Sequence, residues 1–150
     1  MDTVLIPVTS HTGWARDVAM TATDIESDNE VDAVVVHVFE DGEIESTRSN
    51  LDLPAGETAT LDELAARKSG VSTTVKVLEA EGFEARVRGV RAEDEPGSAI
   101  VGLAERADAD RIYVYSRKRT PAGKAVFGSS VQRVLLNASC PVVVLPFGAR

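Results

Sequence analysis

Ala33-Val34-Val35-Val36-His37-Val38-Phe39 is an uncharged run in which His37 is the one polar residue. β-Branched side chains pack well on a pleated surface and lose rotamer freedom in a helix, so the run reads as a strand. A strand with one wet face alternates apolar and polar residues. This one does not alternate, as expected of a strand covered on both faces in a parallel sheet. Thr3–Val8 has the same character. Ala85–Val90 differs, because Arg86 and Arg88 flank Val87 and give it the alternation of an edge. Ile112–Tyr115 and Val142–Leu145 complete a set of five strands.

Helical spacing fills the gaps between these runs. Ala15, Val18, Ala19 and Ala22 recur at i, i+3, i+4 and i+7. Leu64, Val71, Val75 and Leu78 predict a second helix ending near Gly82, and Ile100, Leu103, Ala104 and Ala107 a third, with Pro96 in its first turn. Val131, Val134, Leu135 and Ala138 predict a fourth, opened by Gly128-Ser129-Ser130 and stopped by Pro141. Regular β-α alternation points to an α/β fold: a doubly wound five-stranded parallel sheet with helices on both faces. Right-handed crossovers, two buried strands and one guarded edge give the order 3-2-1-4-5. Residues 1–150 read as one domain.

Two connections are longer than usual. Glu40–Thr60, with Pro54 and Gly56, reads as a polar surface excursion. Ser116–Phe127 is basic, holds Pro121 and Gly123, and follows strand four beside strand one, where the strand order reverses. That crevice is the expected ligand site of an open α/β sheet.

Charge is unevenly placed. Residues 1–110 hold 9 basic and 24 acidic side chains, whereas residues 111–150 hold 7 basic and none acidic. The net charge of −8 disfavours nucleic acid, which calls for a basic footprint. Many acids beside only 4 lysines fit a salt-rich cytoplasm. No run is long and apolar enough for a membrane helix, no secretory leader is expected, and the lone Cys140 suits a reducing compartment; the expected location is cytoplasmic.

Gly128-Ser129-Ser130 has two readings. Free N–H groups at a helix start suit a phosphate, and serine hydroxyls add donors; equally, the motif is an ordinary serine N-cap after a turn. Arg117-Lys118-Arg119 with Lys124 either pairs with such an anion or forms a solvated basic loop. His37, set among valines, reads as a hydrogen-bonded structural residue, and His11 as part of a polar turn. Trp14 reads as a packing or partner-facing aromatic. No nucleophile sits in a triad motif, and one cysteine with two distant histidines makes no zinc site, so no catalytic centre is expected.

Several segments together resemble the universal stress protein (UspA-like) superfamily. Val4-Leu5-Ile6-Pro7-Val8 and Val34-Val35-Val36-His37-Val38 look like its first two strands. Ile100 to Asp110 is similar to its third helix and following turn, and Gly128-Ser129-Ser130-Val131 with Cys140-Pro141-Val142-Val143-Val144 to its ending. Nucleotide-binding members carry Gly-x-x-Gly, nine residues, then Gly-Ser/Thr. In this chain Tyr115 and Lys118 stand at the two glycine positions, and Thr9 stands where an aspartate commonly follows the first strand. The resemblance implies ligand contacts at Pro7, Val38, Gly128, Ser129 and Ser130, with Thr9 occupying another such position; Arg117 and Lys118 add charge beside them. Glycine lets a backbone approach phosphate closely, and tyrosine and lysine do not. ATP is therefore expected to bind weakly or not at all, and no cofactor is firmly implied. The expected role is a regulatory domain acting by binding, as a dimeric interaction module. The alternative is a sensor of ATP or another phosphorylated small molecule at the loop after strand four. A homodimer is expected through Val142, Val143, Val144 and Leu145, because this edge carries no charge and the family often pairs there.

Overall fold

A computed structural model describes residues 1–8, 11–51, 59–116, 118–119, 125–126 and 128–146, with the backbone alone at 118–119, 125–126 and 146. Five parallel strands form the main sheet: β1 (Asp2–Pro7), β2 (Val31–Phe39), β3 (Glu84–Arg91), β4 (Arg111–Ser116) and, later in the chain, β7 (Val142–Pro146). Their order is β3-β2-β1-β4-β7, which is 3-2-1-4-5 in order of appearance. Each predicted strand is present within two residues of its expected ends.

Alternate residues of the inner strands feed two cores. Val4 and Ile6 of β1 and Ala33 and Val35 of β2 pack with Val18 and Ala22 of α1 (Thr12–Ile25) and with Val71 and Leu78 of α4 (Ser69–Ala80). Leu5, Val34 and Val36 face the other way, against Ile100, Leu103 and Ala104 of α5 (Pro96–Arg106) and Val134 of α6 (Ser129–Asn137). Both faces are therefore covered, which is why β1 and β2 read as continuous apolar runs. Among the described residues no helix is long and apolar enough to cross a membrane.

Four expectations are corrected. Glu40–Thr60 is not simply a surface excursion: it contains α2 (Glu43–Ser49), which buries Ile44 and Thr47. The predicted second helix is two helices, α3 (Leu61–Ala66) and α4, because Lys68 takes an extended backbone (φ −71°, ψ 135°) between them. Leu64 and Val71 fall in phase across that break, so periodicity alone joins them. Within Ser116–Phe127, two short strands, β5 (Lys118–Arg119) and β6 (Ala125–Val126), pair antiparallel. In α6 only Val134 of the four predicted face residues is fully buried, Leu135 is 40% exposed, and Ala138 lies just beyond the helix.

Phe39, Ile44, Leu64 and Ala65 make a third, smaller core under α2 and α3. α3 opens with a capping box in which Thr60 accepts from the Glu63 N–H and Glu63 reaches back to the Thr60 N–H. It lies against the β3 edge: Asp62 accepts from the Gly89 N–H at 2.8 Å, and a Cβ at Gly89 would sit 2.2 Å from the Leu61 carbonyl oxygen. Only glycine permits that approach. The arginines expected to guard this edge are paired, Arg86 with Asp32 at 2.6 Å and Arg88 with Asp62 at 3.5 Å.

At the opposite end of the strands Glu26 follows α1 and is 2% exposed. Its carboxylate accepts two hydrogen bonds from Arg111, at 2.8 and 2.9 Å, one from Asn29 at 3.0 Å, and one from the Tyr113 hydroxyl. Arg111 also donates to Asp2 at 2.9 Å.

Candidate functional site

β1 has β2 on one side and β4 on the other, so the chain reverses direction across the sheet at β1. A crevice opens there beyond the carboxyl ends of the strands. Pro7 closes β1, Tyr115 and Ser116 close β4, and α6 begins nearby. Among described residues the crevice holds 160 Å³ and is mainly apolar, lined by Pro7, Val114, Tyr115, Val131 and Val134, with Ser130 on its wall. That is about half the lower end of the ~300–1,000 Å³ typical of small-molecule sites.

Of the expected ligand residues, Pro7 and Ser130 are brought together in this crevice. Val38, in β2, is half-buried and is not among its described lining. Thr9 and Arg117 lie outside the described residues. The backbone of Lys118 is in β5, paired with Val126, and its side chain lies outside the described residues.

Gly128 is the N-cap of α6 (φ −69°, ψ 168°), a conformation open to any residue, and a Cβ there would meet nothing within 4 Å. Among the described residues no side chain caps this helix start, and the N-cap is Gly128, not a serine. Ser129 is exposed. The Ser130 hydroxyl donates to Glu95 at 2.8 Å, tying α6 to the start of α5. Close packing of the two helices depends on Gly97, where a Cβ would lie 2.6 Å from the Ser130 carbonyl oxygen.

Tyr115 is the principal feature that sequence reading left unplaced. Its ring stacks on Trp14 with centroids 5.1 Å apart and 25° between planes, and Trp14 stacks on His11 at 3.9 Å and 20°. His11 also caps α1, its Nδ1 accepting from the Trp14 N–H at 3.2 Å. Three rings thus line up beside the crevice, beginning at a position where the binding pattern has glycine. The available signal is that Trp14 follows β1 and Tyr115 lies near the end of the neighbouring β4 in a chain with few aromatics.

His37 is held by its neighbours. Its Nε2 lies 2.5 Å from Glu43, which also meets the Lys68 ammonium at 3.0 Å. Burial pushes the His37 imidazole below its ordinary value and outweighs the opposing pull of Glu43. Burial alone would raise Glu43, yet hydrogen bonds from His37, Lys68 and the Glu40 N–H bring it below its usual range. Glu43 is then an acceptor only, so neutral His37 carries its proton on Nε2 and donates it. Burial and nearby Asp110 push the Cys140 thiol up, away from thiolate reactivity. Among the described residues no three His, Cys, Asp or Glu side chains gather to hold a metal ion.

Comparison with known proteins gives one consistent answer. The profile of the universal stress protein family matches residues 1–146. A universal stress protein from Archaeoglobus fulgidus has the same fold, at 27% identity over 96% of this chain and 98% of its own, with a TM-score of 0.69. A structure of the Archaeoglobus fulgidus universal stress protein in complex with dAMP aligns at 23% identity, 96% and 97% coverage and a TM-score of 0.65. A universal stress protein in complex with cAMP aligns at 17% identity, 97% and 96% coverage and a TM-score of 0.63. No curated protein sequence matches. With the sheet order, the crevice and the matched length in agreement, the chain belongs to the universal stress protein family.

Proposed function

We propose that this protein acts by binding, without turnover, as a dimeric cytoplasmic interaction module of a stress response whose nucleotide site is weakened. The observation that carries this reading is Tyr115. A stacked ring stands at the crevice where the family's binders have glycine, and the crevice beside it holds 160 Å³. A triphosphate needs close backbone approach and several N–H donors, and Tyr115 with Lys118 replaces both glycines that would allow it. Calorimetry with Mg-ATP tests this. The expected dissociation constant is weaker than about 100 μM; a low-micromolar value, near −8 kcal/mol, would overturn the reading.

One observation favours a second reading, a sensor of ATP or another phosphorylated small molecule at the loop after β4. Among the described residues no side chain caps the start of α6, where N–H groups suit an anion. Universal stress proteins solved in complex with dAMP and with cAMP support a nucleotide as the class of ligand. Micromolar Mg-ATP binding, or phosphorylated ligand released from freshly purified protein, would select it.

Support for a dimer comes from β7. It ends the sheet beyond β4, its valines are half-buried, and no charge interrupts it. Leu136, on the preceding helix, is 82% exposed. Two-fold pairing of β7 strands would satisfy the open backbone groups and cover the β7 valines. Sedimentation at micromolar concentration should show a dimer, and Val143→Pro, which removes an N–H from the strand centre, a monomer. A monomeric wild type, or a dimer indifferent to the substitution, would refute the interface.

A further inference from the structure

A second groove lies away from the crevice, between edge strand β3 and α5. It holds 560 Å³, well inside the ~300–1,000 Å³ of ligand sites. Arg88, Gly89 and Val90 form part of its floor, and Ser98, Gly102 and Arg106 a helical wall. α5 runs back antiparallel to β3, so Arg106 lies about 15 Å from the helix start at 1.5 Å per residue. Glu93 and Asp94 line the groove just before that start. The groove is therefore polarised: basic where α5 ends, and net acidic where it begins, with Glu93 and Asp94 against the single Arg91.

Among the described residues, several of the charged groups lining the groove are unpaired. A Cβ at Gly102 would lie 3.2 Å from Nη1 of Arg106, so the bare backbone there lets that guanidinium fold over the helix wall. Among the described residues Arg91, Arg106, Glu93 and Asp94 have no ion-pair or hydrogen-bond partner through their side chains. Arg88 Nε is buried without a hydrogen bond and meets Asp62 only at 3.5 Å. The third acid, Glu95, is engaged by Ser130 and Arg133. Simple strand addition along β3 is obstructed at Gly89, where Asp62 takes the outward N–H.

We infer that this groove docks an extended peptide segment of a partner protein, acidic at one end and basic at the other. The acidic end lies against Arg88 and Arg106 and the basic end against Glu93 and Asp94. A length of about 15 Å accommodates four or five extended residues at ~3.3 Å each. Exposed charge pairs give orientation and selectivity more than affinity, so binding is weak and falls with salt. The proposal is independent of the nucleotide reading.

The test uses the full chain, labelled with 15N, and an end-blocked hexapeptide of two glutamates, two alanines and two lysines. At low salt the Gly89 and Gly102 amides should shift, with a dissociation constant of about 0.1–1 mM. Arg106→Glu should weaken binding at least ~5-fold, and Arg106→Gln by less, with wild-type spectra elsewhere. Ser129→Ala, in the crevice region, should leave peptide binding unchanged whatever it does to nucleotide. Absence of shifts at Gly89 and Gly102 at millimolar peptide, or equal binding by Arg106→Glu, overturns the inference.

Discussion

Glu26→Ala is expected to lower the unfolding free energy by about 3 kcal/mol and the melting temperature by roughly 6–12 °C. The carboxylate holds Arg111 and Tyr113 at once inside the amino-terminal end of the sheet. Removing it leaves the Tyr113 hydroxyl buried without that acceptor. Arg111 keeps Asp2 and is 23% exposed, which places the loss at the lower end of the ~3–5 kcal/mol for breaking a buried pair. The network also sets a pH window. Burial raises Glu26, but hydrogen bonds from Arg111, Tyr113 and Asn29 more than reverse this and hold it below the ordinary 4.5. Its contribution is complete above 4.5 and is lost as pH falls through the lower, folded value. Tyr113 is shifted the other way, by burial and by the Glu26 carboxylate, well above its ordinary 10. That contribution is present below 10 and is lost as pH rises through the folded value. Melting curves from pH 3 to 11 check the acid limit and the onset of the alkaline loss above 10: wild type should lose stability relative to Glu26→Ala on the acid side. A substitution costing under 1 kcal/mol, or a gap independent of acid pH, would refute this account.

Phe39→Ala should cost about 3–5 kcal/mol, because the ring is fully buried at the centre of the small third core. Its loss should be felt unevenly. Ile44 of α2 and Leu64 of α3 pack in that core, and His37 meets the ring edge-on at 4.5 Å. Hydrogen exchange should accelerate most in Glu43–Ser49 and Leu61–Ala66, with β1 and β4 changing only as global stability falls. A uniform rise across the chain would show that α2 and α3 are not a separate cooperative unit.

That same unit marks where the sequence stops being legible. The inner strands announce themselves because covering on both faces demands apolar residues at successive positions, as in Val34-Val35-Val36. α2 carries no comparable stripe: Glu43–Ser49 buries only Ile44 and Thr47, so its helical state is decided by packing on Phe39. The α3–α4 break was hidden for a different reason, since seven residues from Leu64 to Val71 equal almost two helical turns. At the crevice, substitutions could be counted by position, but position does not say what a new side chain does. Tyr115 reaches Trp14, about a hundred residues away in sequence, and only the pairing of β1 with β4 brings them together.

The sheet's two ends are unequal, and this bears on polymer growth. At β3, Asp62 occupies the Gly89 N–H and the Leu61 carbonyl sits too close to admit another backbone. β7 has no such cover among the described residues. A unit with one receptive end can accept one neighbour, after which neither copy has an end left to extend. In the proposed dimer, pairing through β7 would be self-terminating, and a filament would first require α3 to lift away from β3. In such a dimer the few residues from Thr60 to Glu63 would act as a chain stopper, because they close the β3 edge to a further strand.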